Sequence, residues 1–266
     1  MTTRMMYGLN REDGQNAAHF SSLPDTRFGK MGSVLAVQPV GSAPRPDRDE
    51  LRRLLDGEEI PRFSKASIGE RRKTGDLLPI RPAALPTGFT EFDALLPGGG
   101  WPVGAITELM PEARGIGELS LLLPALVQLS RAGRYLAWIA PPSLPYPPAL
   151  EWHGLALDRL LIVRAPDARA VLWAAEQALR CPAVGAVLAW PAALDDRHVR
   201  RLQLAAEAGG SCGLLYRPPE AVRQHSPAAL RLRLKAHDAG LHIEIHKARG
   251  GRAHALVVHP AAAACA

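Results

Sequence analysis

Cysteine is scarce in this chain, and the sequence has no long apolar run. The three cysteines, Cys181, Cys212 and Cys265, form neither an even set nor a Cys-x-x-Cys pair, so the sequence predicts neither a disulfide framework nor a zinc site. No segment reaches the roughly 20 apolar residues of a transmembrane helix, and no apolar stretch follows Arg4 as it would in a signal peptide. We therefore expect a cytoplasmic protein.

Regular hydrophobic periodicity is missing from the first 48 residues, which mix Ser, Gly, Pro and charged residues. We expect 1–48 to be a disordered tail and 49–84 to hold a short helix followed by a polar linker. The remaining residues, 85–266, are enough for one sizeable α/β core. The sequence thus predicts one core domain with an N-terminal extension.

Positive charge is unevenly placed along the chain. The formal net charge is +6, and the stretch from Arg217 to Arg252 holds eight Arg or Lys residues against three Asp or Glu residues. Such a stretch can meet an acidic protein surface or DNA phosphate. The candidate interaction residues are Arg217, Arg231, Arg233, Lys235, Lys247, Arg249 and Arg252.

One segment has the setting of a phosphate-binding loop but lacks the residues that bind phosphate. The working pattern G-x-x-x-x-G-K-[ST] needs glycines to free backbone N–H groups, a lysine for the β/γ-phosphates and a hydroxyl for magnesium. In this chain Ile116 and Gly117 replace the lysine and the hydroxyl residue, and Glu118 adds a charge that would repel phosphate. The degenerate loop comprises Met110, Pro111, Glu112, Gly115, Ile116, Gly117 and Glu118.

Hydrophobic periodicity beyond this loop predicts an α/β core. Apolar residues recur at helical spacing from Leu119 to Leu129, and Pro124 inside this run predicts a kink. Segments with strand character then alternate with helical ones, which favours a mainly parallel sheet flanked by helices. The predicted strands are 135–140, 160–164, 185–190 and 212–217, and the predicted helices are 147–153, 168–180 and 195–208.

The C-terminal segments alternate strictly between apolar and polar residues. This pattern, over 231–235, 241–247 and 255–259, predicts an antiparallel extension with one solvated face. It places Leu232, Leu234, Ile243 and Ile245 inward and Arg231, Arg233 and Lys235 outward. The outward residues form either a binding surface or a charged edge that keeps the protein monomeric.

His242 and His246 lie on one face of a predicted strand, with Glu244 between them. They could be two ligands of a metal ion, but no third and fourth ligands are identifiable. The interpretation that we adopt is a polar, solvated strand face. We expect no metal site.

The segment before the degenerate loop resembles the RecA family. Residues 85–109 contain Thr-Gly followed by Asp93, a Gly-Gly-Gly loop, Pro102-Val103-Gly104 and an apolar strand, which is the order found at the entry to the RecA core. The resemblance implies a RecA-like P-loop NTPase fold. The sequence motifs match specifically over roughly 40 residues, and only the order of strands and helices is similar over about 160 more.

Within this set, two segments are similar to both ImuA and SulA proteins: Leu-Ala-Trp-Ile-Ala-Pro-Pro at 136–142 and Gly-Leu-Leu-Tyr-Arg-Pro at 213–218. Leu-Pro-Gly-Gly-Gly-Trp-Pro at 96–102 favours the ImuA family. That resemblance implies an accessory protein of SOS-induced translesion DNA synthesis, an adaptor for ImuB, an error-prone polymerase and RecA. The alternative is a SulA-like inhibitor of cell division that binds the GTPase FtsZ.

The resemblance also indicates where ATP chemistry would be expected. RecA-type hydrolysis needs a carboxylate after the third core strand and a glutamate after the second, and Ala189 and Pro142 occupy those positions. Trp190 and Tyr216 end adjacent strands, where they could fill a vacated nucleotide site. The five tryptophans are expected to serve packing. We expect no catalytic residue and no cofactor.

Overall fold

The computed structural model describes residues 36–39 and 84–259. Within these ranges the elements lie at positions close to those that periodicity predicts. The strands are β1 Ala36–Pro39, β2 Ala84–Leu85, β3 Trp101–Pro102, β4 Ala105–Pro111, β5 Tyr135–Ile139, β6 Leu160–Arg164, β7 Val184–Ala189, β8 Cys212–Tyr216, β9 Leu230–His237, β10 Gly240–Ala248 and β11 His254–Val258. The helices are α1 Thr90–Leu95, α2 Leu123–Arg131, α3 Pro147–Trp152, α4 Ala168–Arg180 and α5 Asp196–Gly209, with 3-10 turns at Leu157–Arg159 and Pro219–Arg223.

Nine of these strands form one sheet in the order β1-β6-β5-β7-β8-β4-β9-β10-β11. The pairs from β6 through β5, β7, β8 and β4 to β9 are all parallel. β1 at one edge and β10 and β11 at the other pair antiparallel. The carboxyl ends of β4, β5, β7 and β8 therefore meet at one edge of the sheet, where ligands of open α/β sheets bind.

Apolar side chains cover both faces of the parallel strands. On one face, Leu109, Leu136 and Leu188 pack with α1, α2 and α3. On the other face, Ile106 and Val187 pack with α4 and α5. Both faces of a parallel sheet are thus buried, as its near-continuous apolar strands predict.

The structure corrects three sequence predictions. Ala36–Pro39 lies inside the predicted disordered tail but pairs with β6 as a strand. The rest of 1–48, and the predicted helix and linker up to residue 83, lie outside the described residues.

β9 was predicted to begin an antiparallel extension, but it runs parallel to β4, because the connection through the turn Pro219–Arg223 returns the chain to the end of the sheet at which β8 began. Antiparallel pairing starts at β10. Pro124 lies in the first turn of α2 instead of its interior, so its missing N–H disturbs no helical bond.

None of the helices within 84–259 is long and apolar enough to cross a membrane.

Candidate functional site: a closed loop and an exposed apolar segment

Met110 and Pro111, predicted as part of the degenerate loop, belong to β4, and the rest of the loop follows at the edge where the parallel strands end. Met110 is fully buried in the strand, and Pro111 is its last residue. Glu112 is exposed and donates its backbone N–H to Leu234 O at 2.9 Å. Gly115 has a φ of +77°, a conformation that residues with a Cβ adopt only at a cost. The loop therefore retains one structural requirement of a phosphate-binding loop, namely glycine in the left-handed region.

Glu118 occupies part of this loop with its own carboxylate. Its Oε1 accepts a hydrogen bond from the backbone N–H of Gly115 at 2.9 Å, and its Oε2 is buried without a partner among the described residues. Gly117 has a φ of +100°, and the Ile116 side chain packs against the apolar core. A backbone N–H of the kind that holds phosphate is thus bonded to an acid of the protein itself.

Aromatic rings lie at the ends of the neighbouring strands. Trp190 stacks on Tyr216 with ring centroids 4.5 Å apart and an interplanar angle of 11°, and Trp138 meets Trp190 edge-on at 6.3 Å. The Tyr216 hydroxyl is buried and has no partner in the described chain. Burial, and then the negative charge of Glu118, raise the pKa of Tyr216 above its usual range. This edge of the sheet is therefore filled with rings and offers a neutral phenol instead of a cation.

The two positions at which the resemblance implies carboxylates carry none. Ala189 is buried at the end of β7, and Pro142 is exposed in the loop after β5. Within 84–259, no group of three or more His, Cys, Asp or Glu side chains could hold a metal ion.

Two of the predicted surface arginines are buried, and the prediction that they are exposed is wrong. Arg217 and Arg231 are 8% and 6% exposed and flank Glu108, which is fully buried. Arg217 Nη1 lies 2.6 Å from Glu108 Oε1, and Arg231 Nε lies 2.7 Å from Glu108 Oε2. Arg217 also donates to Gln224 Oε1 and Arg231 to Ala221 O. These arginines neutralise an acid in β4 and hold the β8–β9 connection against it.

The other predicted surface residues lie nearer solvent. Arg233 and Lys235 are half-buried beside Glu244 on β10, whereas Arg249 and Arg252 are exposed. Lys247 is half-buried and donates to Ser226 O at 2.7 Å; burial, and then the nearby cations of Arg249 and Arg231, lower its pKa. Five residues of the predicted surface thus remain available to solvent to some degree.

Sequence reasoning missed an exposed apolar segment between β5 and β6. Leu144, Tyr146 and Trp152 are 56%, 71% and 81% exposed, so the prediction that Trp152 serves packing is wrong. The segment starts after Ala140, which has an unusual φ of +51°, and leads into α3. A proline-rich run at 141–148 was the available signal, because such runs are typical of loops at the protein surface.

A protein-family model described as "Cell division inhibitor SulA" matches residues 104–213. Proteins named cell division inhibitor SulA also match: the Edwardsiella piscicida protein is 38% identical over 103 residues, which are 38% of this chain and 61% of that protein. The Serratia marcescens protein is 31% identical over 115 residues, covering 43% of this chain and 68% of the relative. The Pectobacterium atrosepticum protein is 34% identical over 119 residues, covering 44% and 71%.

These matches define a class of SulA-like proteins. This chain belongs to the SulA family. The matched residues extend from β4 to the start of β8 and include the exposed segment 141–152 and the loop 112–118, called the closed loop because Glu118 occupies it. β2, α1 and β3 lie before the match, and β9 to β11 lie after it.

Proposed function

We propose that this protein is a non-catalytic, RecA-like member of the SulA family that acts in the cytoplasm, in the DNA-damage response, by binding another protein. The observation that carries this proposal is the exposure of Trp152, Tyr146 and Leu144 in a chain whose degenerate loop is occupied by its own Glu118. Aromatic and large aliphatic side chains are the usual anchors of protein interfaces. No charged group is present at the positions where ATP chemistry would need lysine and carboxylates.

The first candidate function is inhibition of cell division by contact with the GTPase FtsZ. The exposed segment 141–152 lies inside the region that matches the SulA family, and the relatives carry the name of division inhibitors. In this proposal, Trp152 and Tyr146 insert into an apolar site on FtsZ. Loss of a central aromatic anchor costs an interface about 2 kcal/mol or more, which corresponds to about 30-fold in affinity.

Purified FtsZ gives a direct assay of this candidate. The protein should reduce the sedimentation of FtsZ polymers, and Trp152→Ala should weaken this effect about 30-fold. Leu204→Ala is the matched control, since Leu204 is 58% exposed on α5 and lies outside the segment. Inhibition that Trp152→Ala and Tyr146→Ala leave unchanged would remove the segment from the interface.

The second candidate is an adaptor of translesion synthesis for ImuB, an error-prone polymerase and RecA. The observation that favours it is an ordered entry segment outside the family match, in which Leu85, Phe92, Leu96 and Trp101 are buried in the core. Phe92 and Trp101 meet edge-to-face at 5.4 Å. This segment is the one that carries the resemblance to the ImuA pattern.

A capture experiment from damaged cells separates the two candidates. The full chain should retain FtsZ under the first proposal, and ImuB, the polymerase or RecA under the second.

An ATPase assay tests the non-catalytic part of the proposal. The purified chain should show no ATP hydrolysis, with or without DNA. A turnover that disappears when Gly115 is replaced would overturn the non-catalytic proposal.

A further inference from the structure

The outer face of the β9–β10 hairpin carries charged side chains, whereas its inner face is apolar. Leu232, Leu234, Ile243 and Ile245 are at most 2% exposed and belong to the core. The β9–β10 outer face consists of Arg233 and Lys235 from β9 and of His242, Glu244 and His246 from β10.

The turn Pro219–Arg223 covers Arg231, but no described residue covers Arg233 and Lys235, which follow on the same face. Arg231 is enclosed there by Ala221 and Gln224, but the next two basic residues of the strand are not. Arg233 and Lys235 side chains are 32% and 30% exposed. A charged face therefore begins where the cover of the sheet ends.

Glu244 is the one acid of this face, and it lies within 4 Å of each of the four basic side chains. Glu244 bonds to Lys235, and its oxygens lie 3.9 Å from Arg233 Nη1, 3.8 Å from His242 Nδ1 and 3.4 Å from His246 Nε2. The hydrogen bond from Lys235 is the main reason why the pKa of Glu244 lies below its usual value, so this carboxylate is ionised near neutral pH. Arg233 and Lys235 against Glu244 consequently give the face a charge of +1, without counting the histidines.

The flanking sequence adds to the positive charge. Residues 230–259 contain six Arg or Lys against two Asp or Glu, and five of the nine histidines of the chain. Exposed Arg249 and Arg252 follow β10, and His237 lies beside His242 with ring centroids 6.4 Å apart. The positive field thus extends past the hairpin itself.

The chemistry of the face indicates the class of partner. Its five residues include no aromatic or large aliphatic side chain outside the imidazoles, so it lacks the apolar anchors of a protein interface. It also lacks Phe, Tyr or Trp platforms on which single-stranded bases stack. Spaced cations on a polar, open face suit a phosphate backbone, which is bound through charge and counterion release.

We propose that the β9–β10 outer face binds the phosphate backbone of double-stranded DNA without sequence preference. The groups that face His242 are Lys235 and His237 on β9 and Glu244 on its own strand. The group that faces His246 is Glu244, and the β11 residues paired with His242 and Glu244 are Val257 and Ala255, which carry no charge. Glu244 is therefore the acid that opposes a phosphate on this face.

Fluorescence anisotropy with the full chain and a labelled duplex of about 30 base pairs tests this proposal at low and at high salt. The double variant Arg233→Glu/Lys235→Glu should weaken binding about 10-fold or more and reduce the salt dependence. Glu244→Gln should strengthen binding, because it removes the only acid of the face. A gain of affinity cannot arise from a folding defect, so this variant keeps the test informative.

The matched control is Arg169→Glu/Arg200→Glu, which makes the same charge change at exposed positions of α4 and α5. It should bind DNA nearly as the native chain does. Equal weakening by both charge reversals, or binding of an acidic polypeptide such as polyglutamate in preference to the duplex, would overturn the proposal.

Discussion

Arg231 Nε lies 2.7 Å from Glu108 Oε2, and both side chains are buried between β4, β9 and the turn that joins β8 to β9. Arg217 holds the other carboxylate oxygen, so one acid neutralises only one of the two buried guanidinium charges. The remaining positive charge is stabilised by carbonyl and amide oxygens of Leu194, Ala221 and Gln224. The connection between the strands is thus fixed by ionic contacts and not by apolar packing alone.

Replacement of Glu108 by alanine should strongly destabilise the fold. Two buried guanidinium groups would then lack their counter-ion, and breaking such a pair costs about 3–5 kcal/mol. Urea denaturation measures the change in the free energy of unfolding. Glu112→Ala, at an exposed position four residues later, should change it by less than about 0.5 kcal/mol. Equal effects of the two variants would mean that the buried cluster does not stabilise the fold.

Stability should fall as pH rises above about 9, because of Cys212. Burial raises the pKa of its thiol from 9.0 to about 12, so between these values the unfolded chain has released a proton that the folded chain still holds. The contribution of the thiol is fully present below pH 9 and is lost as pH rises through 12. The integrated loss is about 4 kcal/mol.

Cys212→Ala should therefore flatten the alkaline part of the stability curve, at the cost of a small cavity at neutral pH. Cys181→Ala is the natural comparison, since Cys181 is only half-buried. Chemical denaturation between pH 8 and 11 gives both curves. A slope that Cys212→Ala leaves unchanged would show that other groups control alkaline unfolding.

Gly99 and Gly100 should respond differently to alanine. At Gly100 a Cβ would lie 2.2 Å from Leu85 O, so the entry segment would have to shift, at a cost of about 3 kcal/mol. At Gly99 a Cβ meets nothing within 4 Å, and only its φ of +77° is unfavourable, at about 1 kcal/mol. Thermal unfolding of the two variants gives the comparison. Identical midpoints would indicate that β2 does not pack on this loop as described.

Trp152→Ala and Trp101→Ala should also differ in stability. Trp101 is 1% exposed and its removal should cost about 3–5 kcal/mol, whereas Trp152 is 81% exposed and its removal should change stability by less than about 0.5 kcal/mol. Differential scanning calorimetry of the free protein measures both effects. A large loss of stability with Trp152→Ala would place its ring in the core and remove it from the proposed interface.

Hydrophobic periodicity was sufficient to locate the regular elements between β4 and β11. The helix predicted at 168–180 is Ala168–Arg180, and the strand predicted at 160–164 is Leu160–Arg164. Such patterns are local, because each element buries one face or both. The start of α2 at Leu123 was harder to predict, since an irregular turn held by Leu121 N–H to Gly117 O continues the same apolar spacing.

The environment of Arg231 could not be predicted from alternation. Period two places Arg231, Arg233 and Lys235 on the same face, but only Arg231 lies under the Pro219–Arg223 turn. Its partner Glu108 is 123 residues away in sequence, and no local pattern links them. An acid within an apolar strand was the one signal that a buried cation lay nearby.

The closed loop was partly predictable. The missing lysine and hydroxyl residue were visible in the sequence, whereas the hydrogen bond from Gly115 to Glu118 depends on the backbone path of the loop. The exposure of Trp152 could not be inferred from composition either, because tryptophan is usually buried and only the surrounding prolines argued otherwise.

Because the tryptophans differ in burial, intrinsic tryptophan fluorescence can report on the exposed segment separately from the core. Among the described tryptophans, Trp101 and Trp138 are buried, Trp173 and Trp190 are half-buried, and only Trp152 is largely exposed to water. An aqueous quencher such as iodide should therefore reach Trp152 first, and a partner that covers this ring should protect it and shift its emission to shorter wavelength. Docking on the exposed segment and unfolding of the core would consequently give opposite spectral changes, so one label-free titration can distinguish an occupied surface from a damaged fold.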